Sequence, residues 1–151
     1  MKKNYLLFIP LFVIVLICMT AFSGDDTDNP SGAPPGYTGS PGDGQNCTAC
    51  HGGTATTVSG WITSNIPASG YTPGNSYTMT VTVTGSGRKG FEVSPQNAAG
   101  TLLGTLTPGS GNKLVGGGKY VTQSSGVNSN PATWNFTWTA PAAGTGTVTF
   151  Y

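Results

Sequence analysis

The chain has 151 residues, of which 6 are basic and 5 acidic, for a formal net charge of +1. Glycine (24) and proline (11) together make up nearly a quarter of it, roughly twice the usual share, and charged residues fall well below the usual value of about 25 %. Glycine without a three-residue period excludes collagen, six scattered cations exclude the basic patch of a nucleic-acid binder, and the low net charge excludes a charged disordered chain. What remains is a Gly/Thr/Ser-rich β protein with 23 threonines and one domain at most.

Residues 1–23 read as a secretory signal peptide. Lys2 and Lys3 give a positive start, Tyr5 to Ala21 is mostly apolar and broken by Pro10, and Ala21-Phe22-Ser23 fits a small-x-small cleavage site. The rival reading is an uncleaved anchor, but the apolar run is near the lower limit for a span. Cys18 follows Ile17, where lipidation needs a small residue, so no lipid anchor is expected. Cleavage leaves 4 basic and 5 acidic residues, a formal charge of −1, and two of the three cysteines. Two cysteines make no set of staples of the kind small secreted domains use.

Residues 24–45 read as a flexible linker, first acidic (Asp25, Asp26, Asp28) and then rich in glycine and proline, without apolar periodicity. Residues 46–56 follow as an attachment loop around Cys47-Thr48-Ala49-Cys50-His51, and residues 57–151 as a β-sandwich. Its clearest strand is Tyr77 to Thr84, where Tyr77, Met79, Val81 and Val83 alternate with four threonines. The second is Trp134 to Thr139, three aromatics on one face and polar residues on the other. Weaker strands are expected over Val58–Ile66, Gly90–Ser94, Thr101–Leu106, Lys119–Thr122 and Gly146–Tyr151. Gly/Pro turns at 73–75, 85–87, 108–111 and 142–144 separate them. About seven short strands at this spacing predict an all-β sandwich. Ending at Tyr151 inside an alternating run, the sequence is expected to be a fragment of a longer chain.

Cys-x-x-Cys-His is the attachment signal for c-type haem. Two thiols at this spacing add to the two vinyl groups of one porphyrin, and His51 follows as the axial iron ligand. An exported chain fits, because thioether attachment occurs outside the cytoplasm. The competing readings are a strained Cys47–Cys50 disulfide, a thioredoxin-like pair without its βαβ setting, and a zinc site with too few ligands, Asp43 being the only nearby carboxylate. Glycines flank the motif on both sides, so it is expected on a loop and not on the helix of a small cytochrome.

His51 is the only histidine, which excludes bis-histidine ligation within one chain. For the sixth iron position the sequence leaves Met79, Lys119, Tyr120, Gln123, an open site or a ligand from another molecule. Met79 alternates in register with Tyr77, Val81 and Val83, which favours core packing. Trp134 and Trp138 read as sandwich core for the same reason; Trp61 and Tyr71 are open between core and a carbohydrate platform. One glutamate and aspartates clustered near the leader make no credible carboxylate pair, so no hydrolase, and no enzyme, is expected.

The run Gly36-Tyr37-Thr38-Gly39-Ser40-Pro41-Gly42-Asp43 leading into Cys47–Gly53 resembles bacterial surface proteins of the choice-of-anchor V type, which carry a reeler-like β-sandwich. Gly90-Phe91-Glu92-Val93 and Trp134 to Pro141 look like later strands of that domain. The resemblance covers roughly residues 36–151. It implies an immunoglobulin-like (reeler-like) sandwich, exported to the periplasm, the cell surface or the medium, and a C-terminal sorting or anchoring tail. In the proteins it resembles, the segment matching Tyr120–Gln123 has a histidine near its end; Gln123 stands there in this chain.

The functional expectation is an exported monohaem c-type domain for electron transfer, with one covalent haem c on Cys47 and Cys50 and iron on His51. Its partner would be a redox protein or a cell-surface component, with no nucleic acid, and with a membrane met only through the leader or an anchor. The alternatives are a structural or adhesive surface module without redox role, and a haem with an open site for a gas or peroxide.

Overall fold

The computed structural model describes residues 29–151. The signal-peptide reading of residues 1–23, Cys18 and the acidic start of the linker lie outside the described residues. Among the described residues no helix is long and apolar enough to cross a membrane.

The framework is two eight-residue strands, β2 (Ser76–Val83) and β8 (Ala132–Thr139), paired antiparallel along their whole length. Both alternate with period two, so pairing them stacks Tyr77 on Trp138, Met79 on Phe136 and Val81 on Trp134, all on one face. Met79, Phe136 and Trp138 are each at most 2 % exposed. The threonines between them form the outer face. Short strands β1 (Ile62–Ser64) and β5 (Thr105–Thr107) complete a sheet ordered β1-β2-β8-β5.

Two smaller sheets cover the apolar face. One is ordered β3-β7-β6, from β3 (Glu92–Val93), β6 (Asn112–Val115) and β7 (Tyr120–Gln123); the other pairs β4 (Pro95–Gln96) with β9 (Thr149–Phe150). Val93, Val121 and Leu106 join the tryptophans in one core, with Phe91, Leu114 and Phe150 packed at its margin. Phe91 lies 5.0 Å from Trp134 and Phe150 5.1 Å from Trp138, ring centre to ring centre. The result is the all-β sandwich that strand spacing predicted. The pairing is antiparallel throughout.

Among the described residues nine strands appear where about seven were expected, for two local reasons. Pro95 ended the sequence reading of its strand because proline donates nothing to a ladder. The chain instead runs on and changes partner. Glu92 and Val93 pair with β7, Ser94 exchanges both backbone bonds with Tyr151, and Pro95 contributes only its carbonyl, which accepts from Leu103 N at 2.9 Å. No strand was expected over residues 112–115, where β6 lies. It forms a hairpin with β7 because Gly116, Gly117 and Gly118 reverse the chain at φ of 60°, 68° and 91°, a left-handed run that only glycine sustains.

Trp134 and Trp138 are core residues, and Met79 is packed beneath them. Tyr71 meets Trp138 edge to face at 5.3 Å, while Trp61 is half-buried.

Candidate functional site

Cys47, Cys50 and His51 sit on one turn of helix, α1 (Thr48–His51), and not on a loop as the flanking glycines suggested. His51 N and Gly52 N close helical bonds to Cys47 O and Thr48 O, both at 3.0 Å. Asn46 starts the turn: its Oδ1 accepts from Thr48 N at 2.9 Å and from the Thr48 hydroxyl at 2.7 Å, offering the chain an Asx-type cap. Gly52 ends it at φ 66°. The turn has a consequence for chemistry. Positions i, i+3 and i+4 of a helix share one face, so both sulfurs and the imidazole face the same way. Both thiols are free and exposed.

Residues 29–45, read as a free linker, carry no strand or helix, yet they are fixed to the sandwich. Buried Glu92 on β3 accepts Gly36 N at 3.2 Å and Tyr37 N at 2.7 Å. Ala33 N donates to the Thr122 hydroxyl of β7 at 3.0 Å. Gly32 runs so close to β7 that a Cβ on it would lie 2.5 Å from Gln123 O. Asp43 is the hub that ties this segment to the motif. Its carboxylate, 1 % exposed, accepts from Thr38 N and the Thr38 hydroxyl, accepts from the Tyr120 hydroxyl at 2.5 Å, and lies 3.9 Å from Lys119 Nζ. Burial pushes the Asp43 pKa up, but these donors and the Lys119 charge outweigh it and hold it below its ordinary value. Its burial, and then the same contact with Asp43, raise the Tyr120 pKa. Burial, only partly offset by its two N–H donors, raises that of Glu92. Partial burial of its sulfur and then the Glu92 charge push the Cys47 thiol up as well, although the residue is exposed as a whole.

Cys47, Cys50 and His51 line one cavity of about 240 Å³ together with Pro30, Ala33, Pro34, Tyr37 and Phe91. Lys89 and Gln123 close it from the sheet side. Of the sixth-ligand candidates, only Gln123 reaches this cavity. Met79 lines a different one, beside Ile62 and Phe150. Lys119 and Tyr120 are engaged by Asp43. Gln123 Oε1 accepts Phe91 N at 2.8 Å, which fixes the amide orientation. The remaining Nε2 is a donor without a lone pair for a metal.

This donor set fits a covalently held haem. Two free thiols and an imidazole on one face would supply two thioether bonds and one iron ligand, and Pro30, Ala33, Pro34 and Phe91 offer apolar wall beside them. The volume lies below the roughly 300–1,000 Å³ of pockets that engulf a ligand, so the cavity suits one edge of a tethered group. Among the described residues no three His, Cys, Asp or Glu side chains are grouped to hold a bare metal ion, so a zinc site has no ligand set there. Sequence reading did not find Lys89, Phe91, Glu92 or the hub role of Asp43. Lys89 carried one signal, being among only four cations left after the leader.

No protein-family description matches this chain, and no curated protein matches it. Solved structures do. The chain is similar to the Reelin-N domain of F-spondin, at 23 % identity over 60 % of this chain and 68 % of that one, with a TM-score of 0.49. Two crystal structures of the human F-spondin reeler domain match at 20 % and 22 % identity, again over 60 % of this chain, and over 74 % and 71 % of theirs; both have a TM-score of 0.47.

Proposed function

We propose that the chain is an exported monohaem c-type domain that passes electrons to a redox partner protein at the cell surface or in the periplasm. One observation carries this reading: both thiols and the imidazole of the Cys-x-x-Cys-His motif line a single apolar cavity. Cys47 and Cys50 would hold the haem, and His51 would ligate its iron. When bound, haem supplies a one-electron ferric–ferrous couple. The chain's own residues set the conditions. The α1 turn fixes the spacing of the three side chains, and Pro34, Tyr37 and Phe91 keep water from one edge. The exposed stretch Cys50–Gly53 would give a partner access to the motif. Among the described residues no methionine and no second histidine lines the cavity, so a bound haem would leave its iron accessible to an external ligand.

The test is expression with the leader in a host that matures c-type cytochromes, followed by a pyridine haemochrome spectrum. A covalent haem band, lost in Cys47→Ser/Cys50→Ser, is expected; no band from the unaltered chain would sink the reading. Carbon monoxide binding by the reduced protein then reports the open site.

A second reading, a structural or adhesive module, is favoured by the outer face of the four-stranded sheet. Thr78, Thr80 and Thr82 there face Thr137, Asn135 and Thr133 across β2 and β8, an uncharged row of hydroxyls and one amide. Retention of surface attachment by a chain lacking both cysteines would favour it.

A further inference from the structure

Lys89 is a buried cation on the cavity wall, 6 % exposed. Its backbone is spent on Val127, donating at 2.8 Å and accepting at 3.1 Å, so the residue is pinned in place. Its Nζ donates to Gly87 O at 2.9 Å. An ammonium has three donors, and among the described residues no carboxylate pairs with this one. A cation removed from water is unfavourable unless an anion compensates it. Among the described residues the cavity lining holds no Asp or Glu, while Arg88 adds a second positive side chain and Pro30, Pro34, Tyr37 and Phe91 supply apolar surface. Glu92 is turned away to Gly36 N and Tyr37 N.

We propose that this cavity takes an apolar group bearing a carboxylate, with Lys89 as the partner of that carboxylate. On the haem reading, on which this rests, the carboxylate is a haem propionate. Lys89 would then orient the porphyrin that Cys47 and Cys50 tether, and the bound carboxylate would serve as the counter-ion of its buried charge.

The full chain, prepared without haem maturation, is titrated with 8-anilinonaphthalene-1-sulfonate, an aromatic body with a fixed anion. The unaltered chain binds it. Lys89→Met weakens binding by about tenfold or more, as loss of a charge-assisted bond implies. Lys89→Arg retains binding, and Lys113→Met, which removes an exposed lysine on β6, leaves it unchanged. Near-ultraviolet circular dichroism matching the parent shows that each variant is folded. Equal affinity of Lys89→Met and parent, or no binding by the parent, overturns the proposal. The haem-loaded protein separates the sources of the carboxylate. With a propionate on Lys89 it no longer binds the probe. Binding to the loaded protein that still depends on Lys89 overturns the propionate assignment. A negative haemochrome overturns the haem reading alone, and the probe titration still decides the anion site.

Discussion

The four-stranded sheet and the site half of the sandwich are held by different forces. Across β2 and β8 every inward residue from Tyr77 to Val81 and from Trp134 to Trp138 is apolar, and burial is the adhesive. On the site side Val93 and Val121 reach the same core, but many of the buried side chains are polar: Ser40, Lys89, Glu92, Ser94, Gln96, Thr122 and Gln123. Nearly all of their polar atoms are satisfied by named partners; Gln96 Oε1 is the one buried side-chain atom without a hydrogen bond among the described residues. Apolar burial is non-directional and scales with area. Hydrogen bonds are directional and place atoms. The sheet therefore supplies stability, and the polar half supplies the position of a short turn that buries nothing of its own.

The largest expected effect lies in the sheet. Trp138 is fully buried, packs edge to face on Tyr71 and Phe150, and donates its indole N–H to Leu103 O at 2.9 Å. Trp138→Ala removes that area and leaves the carbonyl unpaired. A loss of about 3–5 kcal/mol is expected, a large part of the roughly 5–15 kcal/mol that holds a domain together. Chemical denaturation should show it, with amide exchange rising across both halves at once. A loss confined to β5 and β9 would mean that the two halves are held separately.

The same contrast explains what the sequence disclosed. Apolar burial leaves a periodic trace, so β2 and β8 are legible residue by residue, and Met79, Trp134 and Trp138 are legible as core. The Cys47, Cys50, His51 triplet is legible as a motif because its spacing is local, and the structure puts all three residues on one cavity. Directional polar contacts leave no trace of this kind. Glu92 grips residues 55 and 56 positions earlier in the chain, and nothing near Gly36 or Tyr37 announces it. Glycine and proline there suggested freedom, although in Gly32 the missing Cβ serves close packing on β7. Lys89 was unreadable for a related reason. A lysine is exposed by default, and only the distant pairing with Val127 turns this one inward.

A smaller and more local effect is expected from Tyr120→Phe. The change keeps the ring and deletes the hydroxyl that donates to Asp43. Leaving a buried carboxylate short of a donor costs about 1–3 kcal/mol. Exchange should quicken at Thr38 and Gly39, whose amides bond Asp43 Oδ2 and Gln45 O. The amides of β2 and β8 should stay slow. Uniform acceleration through the four-stranded sheet would contradict the division of labour between the halves.

The smallest effects are in pH dependence, where two carboxyls of the site half have opposite signs. Asp43 titrates below its ordinary value of 3.8 in the folded chain. Its contribution to stability is present above the unfolded value and is lost as pH falls through the folded one. Asp43→Asn should therefore flatten the acid-side decline. Glu92 titrates above its ordinary value of 4.5. Its contribution is present below the unfolded value and is lost as pH rises through the folded one. Glu92→Gln thus gains on the parent as pH rises from that value, whatever constant offset arises because one amide oxygen cannot accept both Gly36 N and Tyr37 N. The decisive quantity is the slope of the stability difference against pH, from thermal unfolding between about pH 3 and 7. Slopes of opposite sign for the two variants would show that one buried carboxyl is anchored as an anion by Thr38, Tyr120 and Lys119, while the other is held by backbone N–H groups alone against its burial. Two curves parallel to the parent would mean that neither carboxyl is as buried in solution as its hydrogen bonds require, and the rigid placement of the motif would lose its support.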